Sequence, residues 1–319
     1  MRAEATLKRA AARRVQEEGL PLRLADVVLT SVSTLVVAYL VIAGRWVPGW
    51  WRSAIAFAVI AVGAPLLRGL ALRFPKWRVF DFLASVWVLP AAGIGHFHFG
   101  ALVDAVHPRL LDKYLYLADL RLFGTTPSMV LDQYFHGPAL DAVMVCYYGY
   151  FLWMTVLALL LYFRAPRAAL DQYVLALTLC FAANFACYVL VPAIGPRYFL
   201  ANHFDGALPG GWITAYLDSV MRNPAFARDC FPSGHTAGTL TVLTYAFRHQ
   251  RRFFWLLLPA ASGLILATLA GRFHYGIDLM CAVPLVVTVV SASTALCRAR
   301  PRGVVVPAPT FATRAPVEA

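Results

Sequence analysis

The chain has 319 residues, of which 60% are hydrophobic and 14% charged, and its formal net charge is +12. Soluble domains carry about 25% charged residues, so this composition excludes a water-soluble globule and reads as an integral membrane protein. No basic soluble domain carries the excess charge, which excludes nucleic acid as a partner and leaves anionic membrane lipids as the counter-surface.

Residues 1–23 form a basic segment, and eight apolar runs follow at 24–43, 53–72, 80–100, 139–163, 170–192, 234–248, 253–271 and 277–297. Each can cross the hydrocarbon at about 1.5 Å per residue, the sixth by borrowing from its flanks. The first run is longer than a signal-peptide core and no small-residue cleavage site follows before Trp46, so it reads as a retained anchor. The second run contains Arg68 and the third Pro90 and two histidines. The expected architecture is therefore an all-α bundle of about eight transmembrane helices. Residues 24–78 supply two N-terminal helices, and 79–297 a six-helix catalytic membrane domain. The tail, 298–319, holds Pro301, Pro307, Pro309 and Pro316 and is expected to be disordered and cytoplasmic.

Two connections are long. Residues 101–138 mix Asp104, Arg109, Asp112, Lys113, Asp119, Arg121 and Asp132 with leucines and tyrosines, and predict one or two amphipathic helices at the interface. Residues 193–232 contain Pro196, Pro209, Gly210, Gly211 and Pro224 and predict an irregular cap. With the N-terminus inside, 19 of the 28 Lys and Arg residues fall in cytoplasmic segments, as the positive-inside rule requires. Five cysteines lie in or at the ends of spans and Cys230 stands alone in a loop, so no disulfide framework is expected.

The chemistry concentrates between Asp229 and Asp278. The stretch opens Asp229-Cys230-Phe231-Pro232-Ser233-Gly234-His235-Thr236 and closes Arg272-Phe273-His274-Tyr275-Gly276-Ile277-Asp278, with two apolar segments between. An apolar hairpin returns to its starting side, so His235 and His274 meet at one face. Topology puts that face outside, together with Arg197. Pro232-Ser233-Gly234 is a helix start, and such a terminus suits a phosphate. His274 and Asp278 are four apart, a spacing that on a helix puts the carboxylate against the imidazole. A phosphate cradle, two histidines and an orienting aspartate point to phosphoryl transfer.

These residues resemble the type 2 phosphatidic acid phosphatase superfamily, which carries Pro-Ser-Gly-His and later His-x-x-x-Asp motifs. His274-Tyr275 before Asp278, together with Gly195-Pro196-Arg197-Tyr198 and Phe123-Gly124 before Pro127, is similar to its inositol phosphorylceramide synthase branch. The resemblance spans roughly 118–297. It implies that His274 is the nucleophile that takes the phosphoryl group, that Asp278 orients it, and that His235 protonates the leaving oxygen and then activates the acceptor. Arg197 would clamp the phosphate with N–H groups near Ser233 and Gly234. The phosphatase pattern has a lysine where Leu190 stands and an arginine where Thr268 stands; Arg272 is the available replacement.

The implied partner is a lipid phosphate or phospholipid, and the implied location is the plasma (inner) membrane with the site facing outside. Hydrolysis and transfer to a lipid or polyol hydroxyl pass through the same phosphohistidine. The competing reading is a non-catalytic lipid-binding or lipid-translocating protein with a degenerate phosphatase fold. No metal or cofactor is expected, because no carboxylate cluster has magnesium-type spacing, and His96 and His98 diverge by about 200° on a helix. His96, His98, His107, His136 and His203 read as interfacial. Tyr147, Tyr148, Tyr150 and Trp153 read as belt or core, and Asn184 as an interhelical hydrogen-bonding residue.

Overall fold

The computed structural model describes residues 22–221 and 228–299, and among them every regular element is a helix. The N-terminal segment up to residue 21, the tail from residue 300, Arg222 and Pro224 lie outside the described residues. Helices α1 (Leu24–Ile42) and α2 (Trp50–Arg73) form the first hairpin. Arg68 of α2 is buried, which in a membrane is tolerable only with partners. It has them: Nε donates to Asp26 at 3.0 Å, Nη2 to the Ala84 carbonyl at 3.3 Å, and Nη1 lies 3.5 Å from Asp81.

Helices α3 (Arg78–Val86) and α4 (Val88–His98) are the two arms of the third apolar run, bent by 47° at Trp87. Pro90 has no N–H to give the Val86 carbonyl, which weakens the helix at that point. The first long connection holds three helices where one or two were expected: α5 (Gly100–Val106), α6 (Asp112–Phe123) and α7 (Pro127–Asp132). Helices α8 (Gly137–Tyr148) and α9 (Tyr150–Arg164) continue the chain with a 46° bend at Gly149, and α10 (Arg167–Leu190) is long and apolar enough to span alone.

The second long connection is more regular than an irregular cap. It contains α11 (Pro196–Phe199), a 3₁₀ turn (Ala201–His203) and α12 (Trp212–Met221). Asp141 of α8 organises α12 by accepting the Gly211 and Thr214 N–H groups, each at 2.9 Å. The last three helices are α13 (Gly234–His249), α14 (Arg251–Ala270) and α15 (Gly276–Ala299).

Among the described residues five helices are long and apolar enough to cross a membrane, and seven spans result if each bent pair counts as one. The expected span left over is the sixth run, now α13. Its 16 residues cover about 24 Å, less than the roughly 30 Å hydrocarbon layer. Ala237, Val242, Tyr245 and Ala246 on it are buried in the main core beside residues of α9, α10, α14 and α15. A second apolar cluster joins α1, α2, α4 and α5 to Tyr188 of α10. The hairpin α13–α14 turns on the single residue Gln250, so the start of α13 and the end of α14 reach the same end of the bundle.

Candidate active site

The His274 motif sits on a tight turn between α14 and α15. Phe273 and His274 both donate their N–H groups to the Thr268 carbonyl at 3.1 Å. Helix α15 begins only at Gly276, so His274 precedes the helix and the pair does not meet through helical phase. The carboxylate folds back onto the turn: Asp278 Oδ2 accepts Tyr275 N–H at 2.8 Å and the Cys230 thiol at 3.0 Å, and lies 3.3 Å from His274 Nδ1. The shorter contact of Nδ1 is to the Cys230 carbonyl, at 2.8 Å. A carbonyl can only accept, so Nδ1 carries the proton and Nε2 has the lone pair. His274 and Asp278 are both buried.

Around His235 the chain behaves as a helix start. Ser233 is the N-cap, its Oγ accepting Thr236 N–H at 3.2 Å, while its own N–H donates to the Asp278 carbonyl at 3.2 Å. That second bond fastens the two histidine motifs together. Gly234 and His235 begin the helix, and their N–H groups have no intrahelical acceptor. Gly234 leaves room for Tyr188, whose hydroxyl would stand 2.4 Å from a Cβ at that position. The His235 ring is held between two tyrosines, with centroids 4.2 Å from Tyr147 and 4.4 Å from Tyr150. Its Nδ1 lies 3.3 Å from the Tyr147 hydroxyl. Two residues expected as belt or core therefore line the site.

Arg197 joins from α11. Its N–H donates to the Arg272 carbonyl at 2.8 Å, and its guanidinium lies over the Phe273 ring at 5.6 Å. Asp218 of α12 pairs with Nη2, and Nη1 is buried with no partner among the described residues. Gly195 has φ 80°, and a Cβ there would meet the Phe273 carbonyl at 2.4 Å, so only glycine lets this loop lie against the His274 turn. Arg272 is differently placed. Its Nε donates to Asp132 at 2.7 Å and Nη1 to the Gly206 carbonyl at 2.8 Å, which ties the first connection to the second.

Helix α6 holds the whole arrangement from one side. Asp112 accepts the N–H groups of Ile194 and Gly195, at 3.0 and 2.9 Å, and the Tyr275 hydroxyl at 3.0 Å. Asp119 accepts those of Gly276 and Ile277, each at 2.9 Å, and so caps α15. Burial pushes both carboxyls up, Asp119 to about 6, against the opposing pull of these N–H bonds. Burial likewise raises Asp229, which lies 3.5 Å from His96 Nδ1. Sequence reasoning passed over Asp112 and Asp119; the available signal was two acids seven apart on one face of an amphipathic helix.

Two hollows meet at Tyr147 and Asp229. One, of about 30 Å³, is lined by Arg197, Phe273 and His274; the other, of about 260 Å³, by His235 and Gly234. Cys230 Sγ, His274 Nδ1 and an Asp278 oxygen lie within 4.8 Å of one another, a donor set that could hold a soft ion such as Zn²⁺. Such binding needs a thiolate, and burial, with the Asp278 charge adding to it, holds the Cys230 thiol well above its ordinary range. Among themselves the three groups form hydrogen bonds around the imidazole.

Fold and site together define a polytopic helical membrane protein whose paired histidines and one arginine converge at one end of the bundle. The chain belongs to the PAP2 superfamily, whose family model matches residues 113–292. Among curated proteins it is similar to a "PA-phosphatase related-family protein" of Dictyostelium discoideum, 25% identical over 107 residues. That match takes in 32% of this chain and 19% of the relative, so the chain spans about a fifth of that protein's length. No solved structure matched the chain. The helices α1 to α5 lie before the matched segment, yet His96 and Phe97 of α4 line the larger hollow.

Proposed function

We propose that the protein is a lipid phosphoesterase or phosphotransferase that works through a phosphohistidine at the extracytoplasmic face. One observation carries this reading: His274 has its Nδ1–H committed to the Cys230 carbonyl beside the Asp278 carboxylate, in a hollow shared with Arg197. Nε2 is thereby the nucleophilic nitrogen, and the negative carboxylate stabilises the positive ring that forms when phosphorus bonds to it. The unpartnered Nη1 of Arg197 is positioned for a phosphate oxygen, with Asp218 holding the guanidinium in place. His235, seated at a helix start between two tyrosines, gives a proton to the leaving oxygen and takes one from the acceptor.

The spelling of the His274 motif and Gly195-Pro196-Arg197-Tyr198 support a place near the inositol phosphorylceramide synthase branch of the superfamily. Charge asymmetry between loops supports the outward-facing site in a plasma or inner membrane. The test is direct. Purified protein in nanodiscs, given a panel of lipid phosphates and phosphodiesters, should form a dephosphorylated lipid or a new phospho-lipid, and His274→Ala should form neither. A wild type that binds these lipids yet converts none would establish the lipid-binding alternative.

A further inference from the structure

The larger hollow lies beside His235 between α4, α9 and α10, and most of its wall is ring and hydrocarbon, including Phe97, Phe151, Phe181 and Phe185. On α10, Phe181, Asn184, Phe185 and Tyr188 recur at helical spacing, so a single face of that helix looks into it. Asn184 is the polar interruption. It is 1% exposed, and its Nδ2 donates to the Cys180 carbonyl one turn back at 2.8 Å, a bond within its own helix and not the interhelical one expected. That bond fixes which amide atom is which, and it leaves Oδ1 buried with no hydrogen-bonding partner among the described residues. Oδ1 would stand 3.8 Å from a Cβ on Gly234, which places this acceptor beside the residue next to His235. A buried acceptor of this kind is costly to leave unmet. The smaller hollow, by contrast, holds Arg197 and His274. The phosphoryl group and the organic part of a substrate thus have separate places on either side of Tyr147.

We infer that the larger hollow is the alcohol site of the phosphotransfer. It takes an apolar alcohol that carries a second hydroxyl beside the reacting one, and Asn184 Oδ1 accepts a hydrogen bond from that second hydroxyl. The inference rests on the phosphoryl-transfer reading above. In the first half-reaction the leaving alcohol, protonated by His235, departs into this space. In the second the acceptor occupies it: its O–H bond breaks, the proton passes to His235, and its oxygen bonds to phosphorus. The P–N bond to His274 then breaks, with the electron pair returning to the ring. Water in place of the alcohol yields inorganic phosphate, so the occupant of the hollow decides between transfer and hydrolysis.

The experiment uses the full chain in nanodiscs with radiolabelled phosphatidic acid as donor and either 1-dodecanol or 1,2-dodecanediol as acceptor. The wild type should phosphorylate the diol about tenfold faster than the mono-alcohol, the size of one buried hydrogen bond. Asn184→Leu, of similar volume but without the acceptor, should bring that ratio to about one. Because the ratio compares two acceptors on the same protein, loss of folded material does not move it. Equal use of the two alcohols by the wild type overturns the inference, as does a preference that survives in Asn184→Leu. Phosphate released to water with neither alcohol phosphorylated also overturns it. A further arm uses lysophosphatidic acid, which has its own hydroxyl, as donor. If Asn184→Leu alters only the preference for that donor, the hydroxyl belongs to the leaving alcohol and the acceptor assignment falls. A donor that is never cleaved, across the lipid phosphates tried, overturns the phosphoryl-transfer reading and this inference with it.

Discussion

His274 presents its Nδ1–H to two acceptors, the Cys230 carbonyl at 2.8 Å and the Asp278 carboxylate at 3.3 Å. This sharing changes what Asp278→Asn should do. In a serine-protease triad the equivalent change costs roughly 10⁴-fold because the amide favours the wrong imidazole tautomer. In this protein the backbone carbonyl keeps the proton on Nδ1 whatever stands at 278, so the loss is that of the stabilising charge alone. We expect Asp278→Asn to lower kcat by about 10²–10³-fold, measured on whichever lipid phosphate the wild type converts. A 10⁴-fold loss or more would show that the carboxylate fixes the tautomer by itself. The same geometry bears on metals. His274 Nδ1–H is committed to the Cys230 carbonyl and the Cys230 thiol to Asp278, so activity should survive EDTA; loss on chelation with recovery on adding zinc would make the cluster a metal centre.

Helix α6 is the element that turns separate motifs into one site. Asp112 and Asp119 stand two turns apart on its buried face, one holding the Arg197 loop and Tyr275, the other capping α15. Asp119→Ala leaves two buried N–H groups without their acceptor, a cost of about 2–3 kcal/mol, visible as a lowered midpoint of thermal unfolding in detergent. The pH dependence has a definite sign. The folded pKa of Asp119 is raised from 3.8 to about 6, so the folded state binds this proton more tightly than the unfolded chain. The resulting stabilisation is full below about 4 and is lost as pH rises through about 6. The wild type should therefore gain stability relative to Asp119→Asn between pH 7 and pH 5; a gap that narrows on acidification would contradict the assignment. Much of this element was hidden in the sequence. Two aspartates among leucines and tyrosines read as the wet side of an interfacial helix, and only the approach of Ile194, Gly195, Gly276 and Ile277 from distant parts of the chain explains why they are buried. The hairpin α13–α14 was legible because its apolar segments and polar ends are contiguous in sequence. The His274–Asp278 contact was legible as a pair but not in its cause, since the turn at Thr268 depends on tertiary packing.

At the scale of the molecule, hydropathy predicted the apolar runs well and their continuity poorly. Periodicity does not register a break at Trp87 or Gly149, whereas the shortness of α13 was legible, since the sixth run already needed its flanks to cross. The orientation is testable on the folded protein. Ala201→Cys lies in the second long connection and Pro75→Cys between α2 and α3, both at exposed positions. An impermeant maleimide added to intact cells should label the cysteine at 201, and the one at 75 only after permeabilisation; the reverse pattern would turn the site to the cytoplasm. The central claim is that phosphorus passes through His274 while His235 handles protons, and trapping the intermediate tests it most directly. His235→Ala given a lipid phosphate ester with a good leaving group needs little proton donation, so it should stall as an acid-labile phosphoprotein. Mass spectrometry of that protein under neutral conditions should place the phosphate on the peptide containing His274. Phosphate found on His235 in a His274→Ala background would reverse the two roles, and full turnover by either alanine variant would contradict the account.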